Sequence, residues 1–99
     1  MSPIYAITAD GEYVEFPEGA PVVDVDVRED LRSGREPFAR IMAAVDAVPA
    51  GHVLRVRATF APVPLIGLLS ERGFVYHMEE ETDTDWSVWF WRYGSPSDR

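Results

Sequence analysis

Val22-Val23-Asp24-Val25-Asp26-Val27-Arg28, followed by Ser33-Gly34-Arg35-Glu36-Pro37 and the apolar positions Phe38, Ile41, Met42, Val45 and Val48, is the stretch that decides the fold. Its first seven residues alternate. Val23, Val25 and Val27 share one face, and Asp24, Asp26 and Arg28 share the other, the period of a strand with one buried side. The later apolar positions recur every three or four residues, which is the period of a helix with one buried stripe. Pro37 sits in the first turn, where its missing N–H costs nothing, and Pro49-Ala50-Gly51 stops the helix. A strand, a polar turn and an amphipathic helix together open an α/β unit.

The same logic extends outward. His52 to Thr59 reads as a second strand, with Leu54, Val56 and Ala58 inward and Arg55, Arg57 and Thr59 outward. Pro62 and Pro64 open a second helix whose core positions are Leu65, Ile66, Leu68 and Leu69, and Arg72-Gly73 ends it. Phe74 to Glu79 is a third strand, and Trp86 to Arg92 a fourth, across an acidic loop from Glu79 to Asp85. Upstream, Ile4 to Ala9 and Glu12 to Phe16 flank Asp10-Gly11, a hairpin signal because both turn positions favour positive φ. The expectation is an α+β two-layer sandwich of order β-α-β-α-β-β, with a four-stranded sheet and an N-terminal β-hairpin. Right-handed crossovers place both helices on one sheet face. Residues 1–21 form the hairpin and linker, 22–93 the domain, and 94–99 a flexible tail.

Alternation in the fourth strand creates an imbalance. With Trp86, Val88 and Phe90 toward the helices, Trp89 and Trp91 point to the other face, near His77, Arg55 and Arg57. Each Trp offers roughly 150–250 Å² to bury. At about 25 cal/mol per Å², covering both contributes on the order of 8–12 kcal/mol as an upper bound. The cover is either the N-terminal hairpin, with Tyr5, Tyr13 and Phe16, or another chain. Trp89 and Trp91 are therefore the candidate interface residues.

Composition restricts the chemistry. The chain has 99 residues, no cysteine, and seventeen acids against nine Arg plus Lys, for a formal charge of −8. Disulfides, thiolate catalysis and Cys-ligated metals are excluded. The negative field repels phosphate backbones, so no nucleic-acid partner is expected even though the fourth strand is rich in tryptophan. No apolar run approaches the roughly 20 residues that span a bilayer, and the start Met-Ser-Pro-Ile-Tyr lacks a signal-peptide pattern. A cytoplasmic protein without membrane contact is the default.

Two clusters qualify as candidate sites. Arg28, Ser33, Arg35 and Glu36 surround the mouth of the first long helix, where free N–H groups and arginine forks suit a small anionic ligand. Asp26, Arg55 and His77, with Arg28, supply polar groups for an alternative pocket on the sheet face. His77 and Glu79 share a strand face and begin a metal pair, but nothing fixes a third ligand, so no metal is expected. No Gly-rich phosphate loop, serine elbow or dinucleotide fingerprint is present, so no cofactor and no catalytic residue are assigned.

Val25-Asp26-Val27-Arg28, Glu36-Pro37-Phe38, Pro49-Ala50-Gly51-His52, Phe60-Ala61-Pro62-Val63-Pro64-Leu65 and Glu71-Arg72-Gly73-Phe74, taken in order, resemble the DUF2249 family. That family is similar to the TusA/SirA sulfur carriers, in which a Cys-Pro-x-Pro motif opens the first helix and the cysteine carries a persulfide. The resemblance implies a mixed sheet of strand order 1-2-4-3 with an antiparallel final strand. It sets Pro37 against the second proline, Arg35 against the first and Gly34 against the cysteine, so the nucleophile is missing and sulfur relay by that route is excluded. The expected function is a non-catalytic binding or adaptor domain for a redox or sulfur-related protein partner, with a homodimer as another arrangement. The alternative is a small-molecule-binding protein or enzyme using the sheet-face groups.

Overall fold

The structure is a computed structural model that describes residues 5–7, 11 and 13–92. Strands β1 (Tyr5–Ile7) and β2 (Tyr13–Glu15) form an antiparallel hairpin with Ala6 opposite Val14. Gly11 in its connection has φ +86°, while Asp10 lies outside the described residues, as do residues 94–99. Next come β3 (Val22–Asp26), α1 (Arg28–Arg32), α2 (Phe38–Ala47), β4 (Val53–Ala58), α3 (Val63–Glu71), β5 (Phe74–Thr82) and β6 (Asp85–Arg92). The main sheet has the order β3-β4-β6-β5, which is 1-2-4-3 counted within the sheet. β3 and β4 are parallel, and β6 runs antiparallel to both neighbours.

The alternation expected from sequence fixes the two faces. Val25, Val56, Val88 and Met78 align across the four strands on the helix side, with Leu54 and Phe90 paired in the next row. Ile41 and Val45 of α2 and Leu65 and Leu69 of α3 pack onto that side, so both helices cover one face. Leu54, Val56, Val88 and Leu69 are fully buried there.

On the opposite side Val53, Val75 and Trp91 are buried beneath Ala6, with Val14, Phe16 and Ala20 around them. The Phe16 ring meets the Trp91 indole edge-on, with centroids 5.2 Å apart, a favourable aromatic geometry. Trp91 is 2% exposed, whereas Trp89 remains half-buried at the border of this cover.

Three local expectations need correction. The strand expected to reach Arg28 ends at Asp26, and Arg28 instead begins α1. Val27 is the N-cap, and the Asp26 carboxylate just before it accepts the Arg28 N–H at 3.1 Å, which satisfies a donor that a helix start leaves unpaired. The acidic stretch expected to be a loop is mostly strand, with β5 reaching Thr82 and β6 beginning at Asp85. β5 is an edge strand, and charged residues are well tolerated where one side of the ladder meets water. Finally, Phe38 leaves the buried stripe: it is 47% exposed, because α2 begins beyond the end of the sheet that covers Ile41 and Val45.

Candidate functional site

The turn between α1 and α2 is built around Gly34. The Gly34 N–H donates to the Leu31 carbonyl at 3.2 Å, and the Arg35 N–H reaches back to the Asp30 carbonyl at 2.8 Å. This pair of bonds, with φ +77° at Gly34, is a Schellman closure of α1. Glycine is favoured there because an L-residue's Cβ crowds the backbone at positive φ. The position that the resemblance sets against a persulfide-bearing cysteine is thus a helix-terminating glycine.

The side chains expected to bind an anion at this mouth face acidic or backbone partners. Arg28 grips Asp26 with two donors, Nε to Oδ1 at 2.9 Å and Nη2 to Oδ2 at 2.7 Å, and donates Nη1 to Asp85 Oδ1 at 2.9 Å. These hydrogen bonds hold the Asp26 carboxyl down at about 2 and lower that of Asp85, where the Thr82 hydroxyl helps. The Arg28 guanidinium is raised in return, chiefly by Asp26 and then by Asp85. Arg35 pairs with Asp30 at 3.1 Å, as does Arg40 at 2.6 Å. Burial pushes the Asp30 carboxyl up, but the two arginine hydrogen bonds outweigh it and leave it lowered. The Ser33 hydroxyl donates to Glu29 at 3.2 Å, and Glu36 Oε2 accepts the Phe38 N–H at 3.2 Å. An anion here would have to compete with Asp26, Asp85 and Asp30 for arginines already engaged.

Immediately beside this turn lies an apolar cleft of about 250 Å³. It sits past the carboxyl ends of the parallel strands β3 and β4, between the starts of α2 and α3, a common location for ligand crevices in α/β sheets. Val27, Val56 and Ala58 form its buried floor. Leu31 of α1, Ile41 of α2 and Leu65 of α3 form its walls. Phe38 and Phe60 line it as well, and both are about half exposed, at 47% and 53%. Its single charged lining residue is Glu36. Pro62, the N-cap of α3, and Pro64, in its first turn, carry the loop after β4 along the cleft and line it. Such a lining can sequester an apolar group, and it offers no nucleophile.

The alternative groups lie on the other side of the sheet. Asp24, Arg55, Trp89 and His77 stand in one cross-strand row, and Asp26, Arg57, Ser87 and Glu79 in the next. Arg55 bonds Glu81 and the buried Ser87 hydroxyl at 3.3 and 3.1 Å, and its guanidinium lies 4.9 Å from the Trp89 ring centroid. Arg57 pairs with Asp24 at 3.2 Å, and His77 Nε2 lies 2.9 Å from Glu79. The structure brings Arg55 and His77 to opposite flanks of Trp89, while Asp26 and Arg28 pair with each other at the end of β3. Among the described residues no group of three or more His, Asp or Glu side chains is arranged to hold a metal ion. Among the same described residues no helix is long and apolar enough to cross a membrane.

The cleft itself was not among the sites expected from sequence. Its signal was Phe60-Ala61-Pro62-Val63-Pro64, an uninterrupted apolar loop where a strand-to-helix connection is normally polar. A family model described as an uncharacterized conserved protein, DUF2249, matches residues 24–92. That span contains the whole cleft and leaves out the hairpin. No curated protein and no solved structure matches the chain.

Proposed function

The chain belongs to the DUF2249 family, and from that premise we propose that it is a non-catalytic binding domain whose cleft receives an apolar side chain from a protein partner. The observation that carries this reading is the exposed pair Phe38 and Phe60 beside a cleft with a buried aliphatic floor. Aromatic side chains left half in water around a concavity gain by being covered, and a single side-chain anchor in a pocket is the usual centre of a small protein interface. The lack of cysteine anywhere in the sequence fits recognition without covalent transfer. The resemblance to sulfur carriers suggests that the partner acts in redox or sulfur chemistry in the cytoplasm.

The test is an NMR titration of methyl-labelled protein with the neutral capped peptide acetyl-Ala-Leu-Gln-Leu-Ala-amide. Shifts are expected at the methyls of Val27, Ile41, Val56 and Leu65, and they should vanish in Phe60→Asp, which charges the rim at an exposed position. Shifts elsewhere with none at these methyls would refute the cleft as the docking site.

A further inference from the structure

We infer that the segment received by this cleft carries a Lys or Arg next to its apolar anchor, and that Glu36 pairs with that cation. The inference rests on the cleft being the docking site and adds the charge of its occupant. Glu36 is the one charged residue of the lining. Its Oε2 accepts the Phe38 N–H, and among the described residues no arginine lies within ion-pair distance of it. The neighbouring arginines cannot serve without releasing another acid, since Arg35 and Arg40 both close on Asp30. Glu36 is therefore a solvent-exposed carboxylate without a cation partner among the described residues, set beside an apolar cleft and two half-exposed phenyl rings.

Charge complementarity selects the occupant at two ranges. The chain's formal charge of −8 favours approach of a basic segment and slows an acidic one. At contact, a cation beside the anchor meets the Glu36 carboxylate and the faces of Phe38 or Phe60, which attract cations through the ring quadrupole. An acidic residue at that place would meet the like charge of Glu36 and would have to compete with Asp30 for Arg35 and Arg40.

Three capped peptides that differ at the central residue test this: acetyl-Ala-Leu-Lys-Leu-Ala-amide and its Gln and Glu counterparts, titrated at about 0.02 M salt while the Ile41 and Leu65 methyls are followed. The Lys peptide is expected to bind about two- to fivefold more tightly than the Gln peptide, and the Glu peptide to be weakest. In Glu36→Gln the order should collapse while the Gln peptide binds as before, because glutamine still accepts the Phe38 N–H and keeps the start of α2. Raising salt to about 0.5 M should compress the same ratio in the unaltered protein, a check that needs no variant. Equal binding of the three peptides would overturn the role of Glu36 and leave the cleft standing. Absence of cleft shifts with all three would overturn the docking site, and this inference with it. Preference for Lys that survives in Glu36→Gln would assign the cation to another carboxylate and refute the pairing.

Discussion

The two faces of the sheet solve the same problem with different means. Toward the helices, the two central rows, Val23–Leu54–Phe90–Tyr76 and Val25–Val56–Val88–Met78, present only apolar or aromatic side chains, and α2 and α3 close over them with Ile41, Val45, Leu65 and Leu69. Toward the hairpin, only the end containing Val53, Val75 and Trp91 is apolar and covered. The rest of that face is filled by ion pairs and by stacking around Trp89. Burial of apolar area is worth far more than partly exposed ion pairing, so stability should be concentrated on the helix side. The region matched by the family contains all three helices and the main sheet except Val22 and Val23 of β3, whereas the hairpin cover lies outside it. The difference teaches that one face is the core of the domain and the other is a surface that this chain finishes with an added segment.

The largest expected effect is Leu54→Ala, which empties a fully buried site beneath both helices and should cost about 2–5 kcal/mol. It is read as a lower urea midpoint at unchanged slope. Phe16→Ala, on the hairpin side, removes a half-buried ring and its edge-on contact with Trp91, and should cost about 1–2 kcal/mol with a red shift of tryptophan emission. Equal losses in the two variants would erase the distinction between core and added cover.

The smallest effect tests the ionic part. The folded-state carboxyl of Asp26 is lowered from 3.8 to about 2, so its contribution is present in full above its ordinary value and is lost as pH falls through about 2. Asp26 is 44% exposed in its side chain, and solvent screening reduces the pair to about 0.2–1 kcal/mol. The gap in urea midpoint between the unaltered protein and Asp26→Asn should therefore narrow between about pH 4 and pH 2. A constant gap across that range would assign the effect of the substitution to packing.

The layers were legible because the strands in the middle of the sheet alternate strictly. Leu54, Val56 and Ala58 leave no choice of face for Arg55 and Arg57, and Val88 and Phe90 force Trp89 and Trp91 to the other side. α1 was not legible, because five residues are too few to show a helical period. Its evidence is at its two ends, the Asp26 carboxylate that accepts the Arg28 N–H and the closing Gly34. The extension of β5 through Glu79 to Thr82 was hidden for a different reason: charge argues against burial, but an edge strand does not require burial. The sequence grouped Arg28, Ser33, Arg35 and Glu36 as one mouth, but it did not show their partners: Arg28 also reaches Asp85, far away in the chain, and Arg35 closes on Asp30. The cleft needs Val27, Phe38 and Phe60 together, and only the meeting of two loops from different crossovers supplies that.

Gly34 also gives the mouth of α2 a handedness. With φ +77°, the backbone at this single residue follows the path natural to a D-amino acid. A Cβ added there meets nothing within 4 Å, so a coded side chain would be opposed by the backbone alone, at about 1–2 kcal/mol. A synthetic chain with D-alanine in place of Gly34 escapes that cost and loses the freedom glycine has when unfolded, so it should be the more stable molecule. For ribosomally made protein the mirror-image route is closed. This turn and a thiol-bearing side chain at position 34 are then alternative uses of the same few atoms of backbone, and the chain is built around the turn.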